Sequence, residues 1–252
     1  LHTDINDHAI SINGNQDALL GALINLCMNA MDAGQDGIDI LVDLSGHTSG
    51  HRLAVFGRKP APVQVTYLGY PNTTGLREID YRITDNSADP QGEPEGGYSE
   101  KLVRMPNGFL CYEPPPDCPA VVAPPCIDKG YITFGSFNYT AKIGSEAIQV
   151  WSDILTAVPG SQLLLKYRSF SDPETRDYFS NRFAIHGIDH ERISFLGLTP
   201  DKRRHLSAYN DVDIALDSFP YNGTTTTCDT LWMGVPVVTL NGGCHAGRVG
   251  VS

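Results

Sequence analysis

The sequence predicts an α/β fold built on parallel sheets, and three observations lead to that prediction. From residue 131 onward, short apolar runs of strand length alternate with segments of helical spacing. Most of these segments stop at a glycine or a proline, the residues that commonly end helices and strands. Four strand–helix units in succession are typical of a parallel sheet covered on both faces. A sheet of this kind binds its ligand at the carboxyl ends of its strands.

The first part of the chain is less regular. Residues 1–36 stay unassigned, although the leucine spacing before Gly34 favours a helix there. The run IDILVDLSG, residues 38–46, is mostly apolar and ends in glycine, which predicts a buried parallel strand. A short helix is expected within residues 48–57. Three further strands are predicted at 61–71, 79–85 and 100–106.

Composition changes abruptly after these strands. Residues 112–130 hold six of the seventeen prolines of the chain. Proline has no backbone N–H to donate, so this density argues against a helix or a central strand. The sequence therefore predicts a linker at 113–130. It would join a partial N-terminal domain at 37–112 to a second domain at 131–252.

The second domain has the clearest pattern of the chain. Its predicted strands lie at 131–138, 161–167, 192–197, 212–219 and 236–240. The predicted helices are 145–160 capped by Ser145, 172–187 capped by Asp172, 199–210 capped by Thr199, and 225–234.

Composition excludes several classes of function. The formal net charge of −11 argues against nucleic acid and anionic membranes as partners, although a local basic pocket is compatible with it. The six cysteines form no CxxC pair and no zinc spacing, which favours free thiols in a reducing compartment. No apolar run has the length of a membrane span. The chain lacks an initiator methionine and stops where a helix is predicted to start, so we expect a fragment cut at both ends.

Four consecutive threonines, Thr224–Thr227, form the first candidate site. They follow Gly223 at the start of a predicted helix, just after a strand end. The N–H groups at a helix N-terminus have no partner within the helix, and the helix dipole attracts anions there. The run is therefore interpreted as a phosphate cradle, with simple capping by one threonine as an equally weighted alternative.

Three other side chains are candidates by position. Lys142 follows a strand end in FGSFNYTAKI and could hold phosphate oxygens, or it could be an ordinary surface lysine. His205 lies in a predicted helix and could stack on a base, although an exposed helix histidine is the simpler interpretation. Asp229 lies one turn into the threonine helix. It could accept a hydrogen bond from a ribose hydroxyl or merely stabilise the helix.

Two motifs are compatible with metal binding but weak. Asp211 and Asp213 form an Asp-x-Asp pair at the entry to a strand. His47 and His51 are four residues apart without an obvious third ligand. Neither is a predicted metal site.

Long, ordered motifs resemble the catalytic region of the O-GlcNAc transferase family, and most closely its SPINDLY-like branch, the protein O-fucosyltransferases. They span about residues 37–252, while residues 1–36 show no convincing match. They are GIDILVDLSGHTSG, RKPAPVQVTYLGYPNTTG, DYRITD, YSEKLVRMP, FGSFNYTAKI and LDSFPYNGTTTTCDTLWMGVPVVTL.

The resemblance implies a GT-B fold. A Rossmann-like C-terminal domain would bind most of a nucleotide sugar, beside a partial Rossmann-like acceptor-side domain. It implies an enzyme of the cytoplasm, and also of the nucleus, that transfers a sugar from a nucleotide diphosphate to Ser or Thr hydroxyls of proteins. The transfer would invert the anomeric centre and need no metal or other cofactor.

The resemblance also assigns roles to residues. Lys142 would contact the diphosphate and is the predicted catalytic residue. Thr224, Thr225 and Thr226 would hold the phosphates, and Asp229 the ribose. His205 would pack on the nucleoside, and the backbone near Thr199 and Pro200 would face the base.

Three departures bear on the donor. The O-GlcNAc branch has histidine, arginine and glutamine where this chain has Thr224, Ala208 and Tyr139. The four-threonine form resembles SPINDLY proteins, which use GDP-fucose, so the donor is expected to be GDP-fucose or UDP-GlcNAc. The family's proposed catalytic histidine has no counterpart motif in this chain, and its tetratricopeptide repeats are absent. A nucleotide-binding module without transferase activity is therefore the alternative function.

Overall fold

The computed structural model describes residues 40–92 and 95–252. The helix predicted within residues 1–36 lies outside the described residues. The described chain divides into two compact units. One contains the described residues up to Arg82 together with Gly96–Leu102, and the other contains Ile83–Glu95 and Val103–Ser252. The predicted domain boundaries at 112 and 130 are drawn from family similarity and composition, whereas these two units are defined by spatial compactness. Those boundaries therefore stay predictions.

The first sheet contains the four strands that the first part of the sequence predicts. They are β1 (Ile40–Asp43), β2 (Val63–Thr66), β3 (Tyr81–Asp85) and β4 (Lys101–Met105), in the order β1-β2-β3-β4. The predicted short helix is α1 (Leu53–Phe56). β1 pairs with β2 in parallel, as predicted. The prediction that β1 is buried is wrong for Ile40 and Val42, which are 59% and 45% exposed, whereas Asp43 at the end of the strand is buried.

The second sheet is fully parallel and confirms the strand–helix alternation. Its strands are β5 (Thr133–Ser136), β6 (Gln162–Lys166), β7 (Ile193–Leu196), β8 (Ile214–Leu216) and β9 (Val237–Val238). They lie in the order β7-β6-β5-β8-β9. The chain first steps outward from β5 and then returns to its other side, which is the doubly wound arrangement of Rossmann-like folds. The point of reversal lies between β5 and β8.

The connecting helices cover both faces of this sheet. They are α3 (Ser145–Ala157), α4 (Pro173–Ala184), α5 (Lys202–Ser207) and α6 (Thr225–Trp232). On one face, Trp151 of α3 and Phe183 of α4 pack in a cluster with Leu163 and Leu165 of β6. On the other, Leu206 of α5 packs in a cluster that contains residues flanking β5, β8 and α6, namely Phe137, Tyr209, Val212 and Met233.

Helix starts follow the prediction only in part. Asp172 caps α4 as predicted, accepting a hydrogen bond from the backbone N–H of Thr175. The predicted cap Ser145 is wrong, since Gly144 takes the cap position and Ser145 is already helical. The predicted cap Thr199 is also wrong. Asp201 caps α5 instead, accepting from the N–H of Arg204 at 2.7 Å, because a carboxylate two residues later competes successfully for the same role.

The proline-rich segment packs closely against the second sheet's helices. Cys118 accepts a hydrogen bond from the indole N–H of Trp232 at 3.2 Å, and Asp117 accepts one from Arg203 at its carbonyl. Its last residues form α2 (Cys126–Lys129), a single turn that the proline density did not predict. The segment is therefore a strap across α5 and α6, and we call residues 112–125 the strap. None of the helices within residues 40–92 and 95–252 is long and apolar enough to cross a membrane.

Candidate functional site

The loop from β8 to α6 is held in place by one buried carboxylate. Asp217, at the carboxyl end of β8, accepts hydrogen bonds from the N–H of Gly223 at 2.7 Å and from the side-chain amide of Asn138 at 3.1 Å. Its other oxygen accepts from the hydroxyl of Thr239 at 2.8 Å. Burial raises the pKa of Asp217, and these donors oppose that shift. The loop is thereby fixed against the ends of β5 and β8, the point where Rossmann-like sheets bind ligands.

Gly223 has no room for a side chain. A Cβ atom at this position would lie 2.8 Å from Oδ1 of Asn138 and 3.0 Å from Oγ1 of Thr227. The glycine therefore lets the loop close onto the protein's own polar groups, immediately before the threonine run.

The threonine run begins α6, as predicted. Thr224 takes the N-cap position, and none of the described side chains caps the helix there. The interpretation as simple capping by one threonine is therefore wrong for α6. Thr225 is exposed, whereas Thr227 is buried and turned inward. The first turn of α6 thus presents backbone N–H groups to an open surface without a protein carboxylate or hydroxyl as cap, which suits an anion.

Lys142 lies beside this helix start. It closes a 3-10 turn, Thr140–Lys142, after β5, and its ammonium donates a hydrogen bond to the carbonyl of Asn222 at 2.7 Å. The same ammonium lies 3.5 Å from the ring centre of Tyr221, a cation–π distance. Lys142 therefore reaches the loop that leads directly into Thr224. The interpretation as an ordinary surface lysine does not fit this half-buried position.

Asp229 is the centre of a second cluster, one turn further along α6. Its side chain is only 3% exposed and is surrounded by three donors, one from the strap and two from α5. The hydroxyl of Tyr112, from the strap, donates to Oδ1 at 2.6 Å, and the ammonium of Lys202 donates to Oδ2 at 2.6 Å. Nε2 of His205 lies 3.4 Å from Oδ2. Although burial opposes it, these three donors hold the pKa of Asp229 below its usual value.

His205 is bound at its other nitrogen as well. Its Nδ1 lies 2.6 Å from the ammonium of Lys166, at the carboxyl end of β6. The ring also makes an edge contact with Tyr209, at 5.7 Å between centres. His205 is therefore a member of a buried polar network, and the interpretation as an exposed helix histidine is wrong.

Two of the lysines at these clusters have unusual acidity. Burial lowers the pKa of Lys142 to about 8, although the nearby charge of Asp217 opposes the shift. Burial lowers the pKa of Lys166 to about 8 too, with a further contribution from the charge of Lys202. Lys142 thus contacts the loop before α6, and Lys166 and Lys202 belong to the cluster around Asp229, in a chain whose formal net charge is −11. This local concentration of positive charge suits a phosphorylated ligand.

Other predicted residues have different positions. Thr199 and Pro200 lie in the loop between β7 and α5, and among the described residues they make no hydrogen bond to either cluster. A cavity of about 10 Å³ beneath α6, lined by Ser136, Asn138 and Thr226 among others, holds about one water and is too small for a nucleotide. Of the predicted phosphate-binding residues, Thr226 lines this cavity, whereas Thr225 is exposed.

The weak metal motifs serve other purposes. Asp213 accepts hydrogen bonds from the N–H groups of Cys126 and Thr133, at 2.9 and 2.8 Å. Asp211 lies 3.8 Å from the ammonium of Lys129. His47 contacts the carbonyl of Thr74 at 2.8 Å through Nε2. Within the described ranges, no group of three His, Cys, Asp or Glu side chains could hold a metal.

Sequence reasoning missed three members of the Asp229 cluster. Lys166 had a usable signal, because a lysine that ends an apolar strand of a parallel sheet lies at the ligand-binding edge. Lys202 had a weaker one, at the start of a helix that follows such a strand. Tyr112 had none, because it is 117 residues from Asp229 in sequence and lies in a segment without periodicity.

Comparison with known proteins identifies related sequences. The chain matches glycosyl transferase family 41 over residues 20–113 and 126–252. The match includes residues 20–36, where the sequence alone showed no similarity. The gap, residues 114–125, falls within the strap.

Named relatives agree with this match. A rice protein (Oryza sativa subsp. japonica) named probable UDP-N-acetylglucosamine–peptide N-acetylglucosaminyltransferase SPINDLY is 50% identical over 218 residues, 86% of this chain and 23% of its own length. An Arabidopsis thaliana protein named probable UDP-N-acetylglucosamine–peptide N-acetylglucosaminyltransferase SEC is 34% identical over 215 residues, which are 82% of this chain and 21% of that protein. The chain therefore spans about a quarter of the length of these relatives. The expected similarity to the SPINDLY-like branch is confirmed.

A solved structure extends the agreement to the fold. A mutant of the O-GlcNAc transferase of Thermobaculum terrenum superposes with a TM-score of 0.82 and 43% sequence identity. The superposition covers 89% of this chain and 42% of the other. This similarity confirms the predicted α/β fold of the GT-B type.

Proposed function

The chain belongs to glycosyl transferase family 41, and from that membership we propose that it is the donor-binding part of a protein O-glycosyltransferase. The whole protein would transfer GlcNAc or fucose from a nucleotide diphosphate to Ser or Thr hydroxyls of cytoplasmic and nuclear proteins. The names of its relatives, which are peptide N-acetylglucosaminyltransferases, support the reaction class. Because the chain covers about a quarter of those relatives, the activity is proposed for the intact protein.

The observation that carries this proposal is the position of Lys142 beside the uncapped start of α6. As the glycosidic bond breaks, negative charge grows on the β-phosphate of the leaving nucleoside diphosphate. The Lys142 ammonium and the N–H groups of Thr225 and Thr226 would stabilise that charge, with Thr224 at the helix cap. Donors fixed in advance at a growing charge lower a barrier more than water can.

The reaction balances without a metal ion. The acceptor oxygen forms a bond to the anomeric carbon on the face opposite the diphosphate, and the bond from that carbon to the phosphate oxygen breaks. The configuration inverts, the diphosphate leaves with the electron pair, and the hydroxyl proton passes to a base. Lys142 and the helix N-terminus neutralise charge where a divalent cation does so in other phosphate sites, so we propose no cofactor.

The second cluster would hold the nucleoside. We propose that Asp229 accepts a hydrogen bond from a ribose hydroxyl and that the ring of His205 packs against the nucleoside. Backbone groups near Thr199 and Pro200 would face the base, since the loop that contains them leads into the helix of His205. These roles place the phosphates at the start of α6 and the ribose one turn further on.

Three positions bear on which nucleotide sugar the protein uses as donor. The threonine at 224, the alanine at 208 and the tyrosine at 139 favour GDP-fucose, whereas the names of the relatives specify UDP-N-acetylglucosamine. Ala208 is 7% exposed and packs in the apolar cluster with Leu206 and Tyr209, so this chain has no side chain there to reach a base.

Calorimetry with GDP and with UDP on the intact protein, followed by transfer assays with both labelled sugars, tests the proposal. We expect one nucleotide to bind at least tenfold more tightly and the matching sugar to be transferred to protein. Binding without transfer would instead establish a nucleotide-binding module. Absence of binding by both nucleotides would refute the donor site.

A further inference from the structure

Lys166 and His205, the two basic groups of the Lys166–His205–Asp229 line, together hold one proton fewer than they could. Lys166 is 5% exposed, and its ammonium is 2.6 Å from Nδ1 of His205. Two cations cannot both be maintained at that separation in a buried position, so the amine and the imidazole share a single positive charge. An amine is a stronger base than an imidazole by about 4 pKa units in water, so the charge resides on Lys166.

This arrangement decides the tautomer of the imidazole. With Lys166 donating, Nδ1 must present its lone pair, and the ring proton must lie on Nε2. Nε2 is the nitrogen that faces Oδ2 of Asp229, at 3.4 Å. The opposite tautomer would direct a lone pair of Nε2 at a carboxylate and remove the acceptor from Lys166, so it is disfavoured at both ends.

A count of the lone-pair positions on Asp229 shows how many can still accept a hydrogen bond from a ligand. The two oxygens of a carboxylate offer about four lone-pair positions. Oδ2 of Asp229 receives Lys202 and faces His205, while Oδ1 receives Tyr112. One position on Oδ1 is unoccupied by the described side chains. The surrounding donors fix the direction of that position, because each one restrains rotation of the carboxylate.

We propose that Lys166 is a positioning residue for nucleoside binding: through the Nε2–H tautomer of His205 it orients Asp229 toward a single ribose hydroxyl. The inference rests on the proposed function for its ligand, but the tautomer follows from this chain's own geometry. Lys166 itself acts through His205 and touches no phosphate in this scheme. The pKa of Lys166, about 8, keeps the amine charged at neutral pH and is consistent with the assignment.

The charged and polar side chains that the described residues place around His205 favour the neutral imidazole with its proton on Nε2. Lys166 comes from β6, Asp229 from α6, and Lys202 from the start of α5. Tyr112 of the strap acts through Asp229, and Tyr209 contributes its ring edge. A second charge on the imidazole would add to two nearby ammonium groups and only one carboxylate.

The first test measures the tautomer directly on the intact, ligand-free protein at pH 7. The ¹⁵N shifts of the His205 ring are expected to show a pyridine-like Nδ1 and a pyrrole-like Nε2. Lys166→Met removes the donor, and a mixture of ring states is expected; Lys166→Arg keeps an N–H donor and should retain the Nε2–H state. An imidazolium or an Nδ1–H tautomer in the unaltered protein would overturn the proposal, and this measurement needs no variant to fold.

The second test asks whether the tautomer controls the ribose contact. GDP and UDP are titrated with their 2′-deoxy and 3′-deoxy forms, using whichever nucleotide binds. The unaltered protein is expected to bind one deoxy form about tenfold more weakly, as for a lost hydrogen bond to a charged group. Lys166→Met should bind the parent nucleotide about tenfold more weakly and lose this discrimination, while Lys166→Arg should largely keep it.

A kinetic comparison separates positioning from general disruption. Lys166→Met is expected to raise the donor KM about tenfold with kcat within threefold, because the phosphates are held elsewhere. Undiminished discrimination between ribose and deoxyribose in a folded Lys166→Met protein would refute the positioning role. If neither GDP nor UDP binds the unaltered protein, the proposed function fails while the tautomer result stands independently.

Discussion

The first two turns of α6 carry two polar regions that are built in opposite ways. At the helix start, Lys142 donates to a neutral carbonyl, and within the described residues it has no carboxylate within ion-pair distance. One turn further on, Asp229 has donors on both oxygens. The helix start therefore keeps donors that an anion can use, whereas both oxygens of Asp229 already accept from the protein's own side chains.

The difference indicates whether each region contributes mainly to ligand binding or to the stability of the fold. A region with unsatisfied N–H groups and an unpaired ammonium gains most when an anion arrives, so its residues should affect ligand binding and turnover rather than folding. A buried carboxylate with three donors contributes to folding, and it recognises ligand only through the acceptor position that remains. Substitutions should therefore separate the two regions by what they change.

The largest effect on stability is expected at Asp229. Asp229→Asn removes the charge that compensates Lys202 and the Lys166–His205 pair, and we expect a loss of about 3 kcal/mol in the free energy of unfolding. Denaturant unfolding of the variant and the unaltered protein measures it. Asp211→Asn is the matched control, because that carboxylate is exposed and only 3.8 Å from a lysine; its cost should stay below about 0.5 kcal/mol. Equal costs at the two positions would remove the distinction between the regions.

The largest effect on turnover is expected at Lys142. Lys142→Ala in the intact enzyme should lower kcat at least tenfold and up to about 1,000-fold, because one donor to a developing charge is worth up to about 2.7–4 kcal/mol of barrier. The free energy of unfolding should change by less than about 1 kcal/mol, because removal of a half-buried charge offsets loss of the hydrogen bond to Asn222 and of the contact with Tyr221. Steady-state kinetics and denaturant unfolding are measured together, with Lys129→Ala as the surface control. Near-normal kcat would remove Lys142 from the mechanism.

The sequence predicted the helix start better than the Asp229 cluster, for a physical reason. Lys142 and the threonine run each follow a strand of a parallel sheet, so local order along the chain places them at one edge. The members of the Asp229 cluster come from a strand end, a helix and the strap, and only folding brings Tyr112 to Asp229. The misplaced caps at Ser145 and Thr199 have a different origin, because several residues in succession could cap and local pattern does not rank them.

An intermediate effect is expected at Tyr112. Tyr112→Phe keeps the ring contact with Trp232 but removes the hydroxyl that donates to Asp229, which should cost about 1.5 kcal/mol of stability. Nucleotide affinity should fall a few-fold, because Oδ1 loses the donor that restrains it. Thermal unfolding and calorimetry check both effects. Tyr178→Phe, at a tyrosine 57% exposed on α4, should change neither, and a similar loss in both variants would show that the strap hydroxyl is not special.

The smallest effect is a pH dependence that belongs to the helix start. The pKa of Lys142 in the free protein is about 8, lowered by burial, and a bound diphosphate must raise it because opposite charge favours the ammonium. Binding therefore takes up protons above neutral pH, and affinity should fall as pH rises, about twofold at pH 8 and about tenfold at pH 9. Calorimetry in buffers of different ionisation enthalpy measures that uptake. Lys142→Arg stays charged throughout and should flatten the fall. If the slope persists unchanged in that variant, the proton is taken up by Lys166 and His205 instead of Lys142. The region around Asp229 would then contribute more to nucleotide binding than its already occupied carboxylate oxygens indicate.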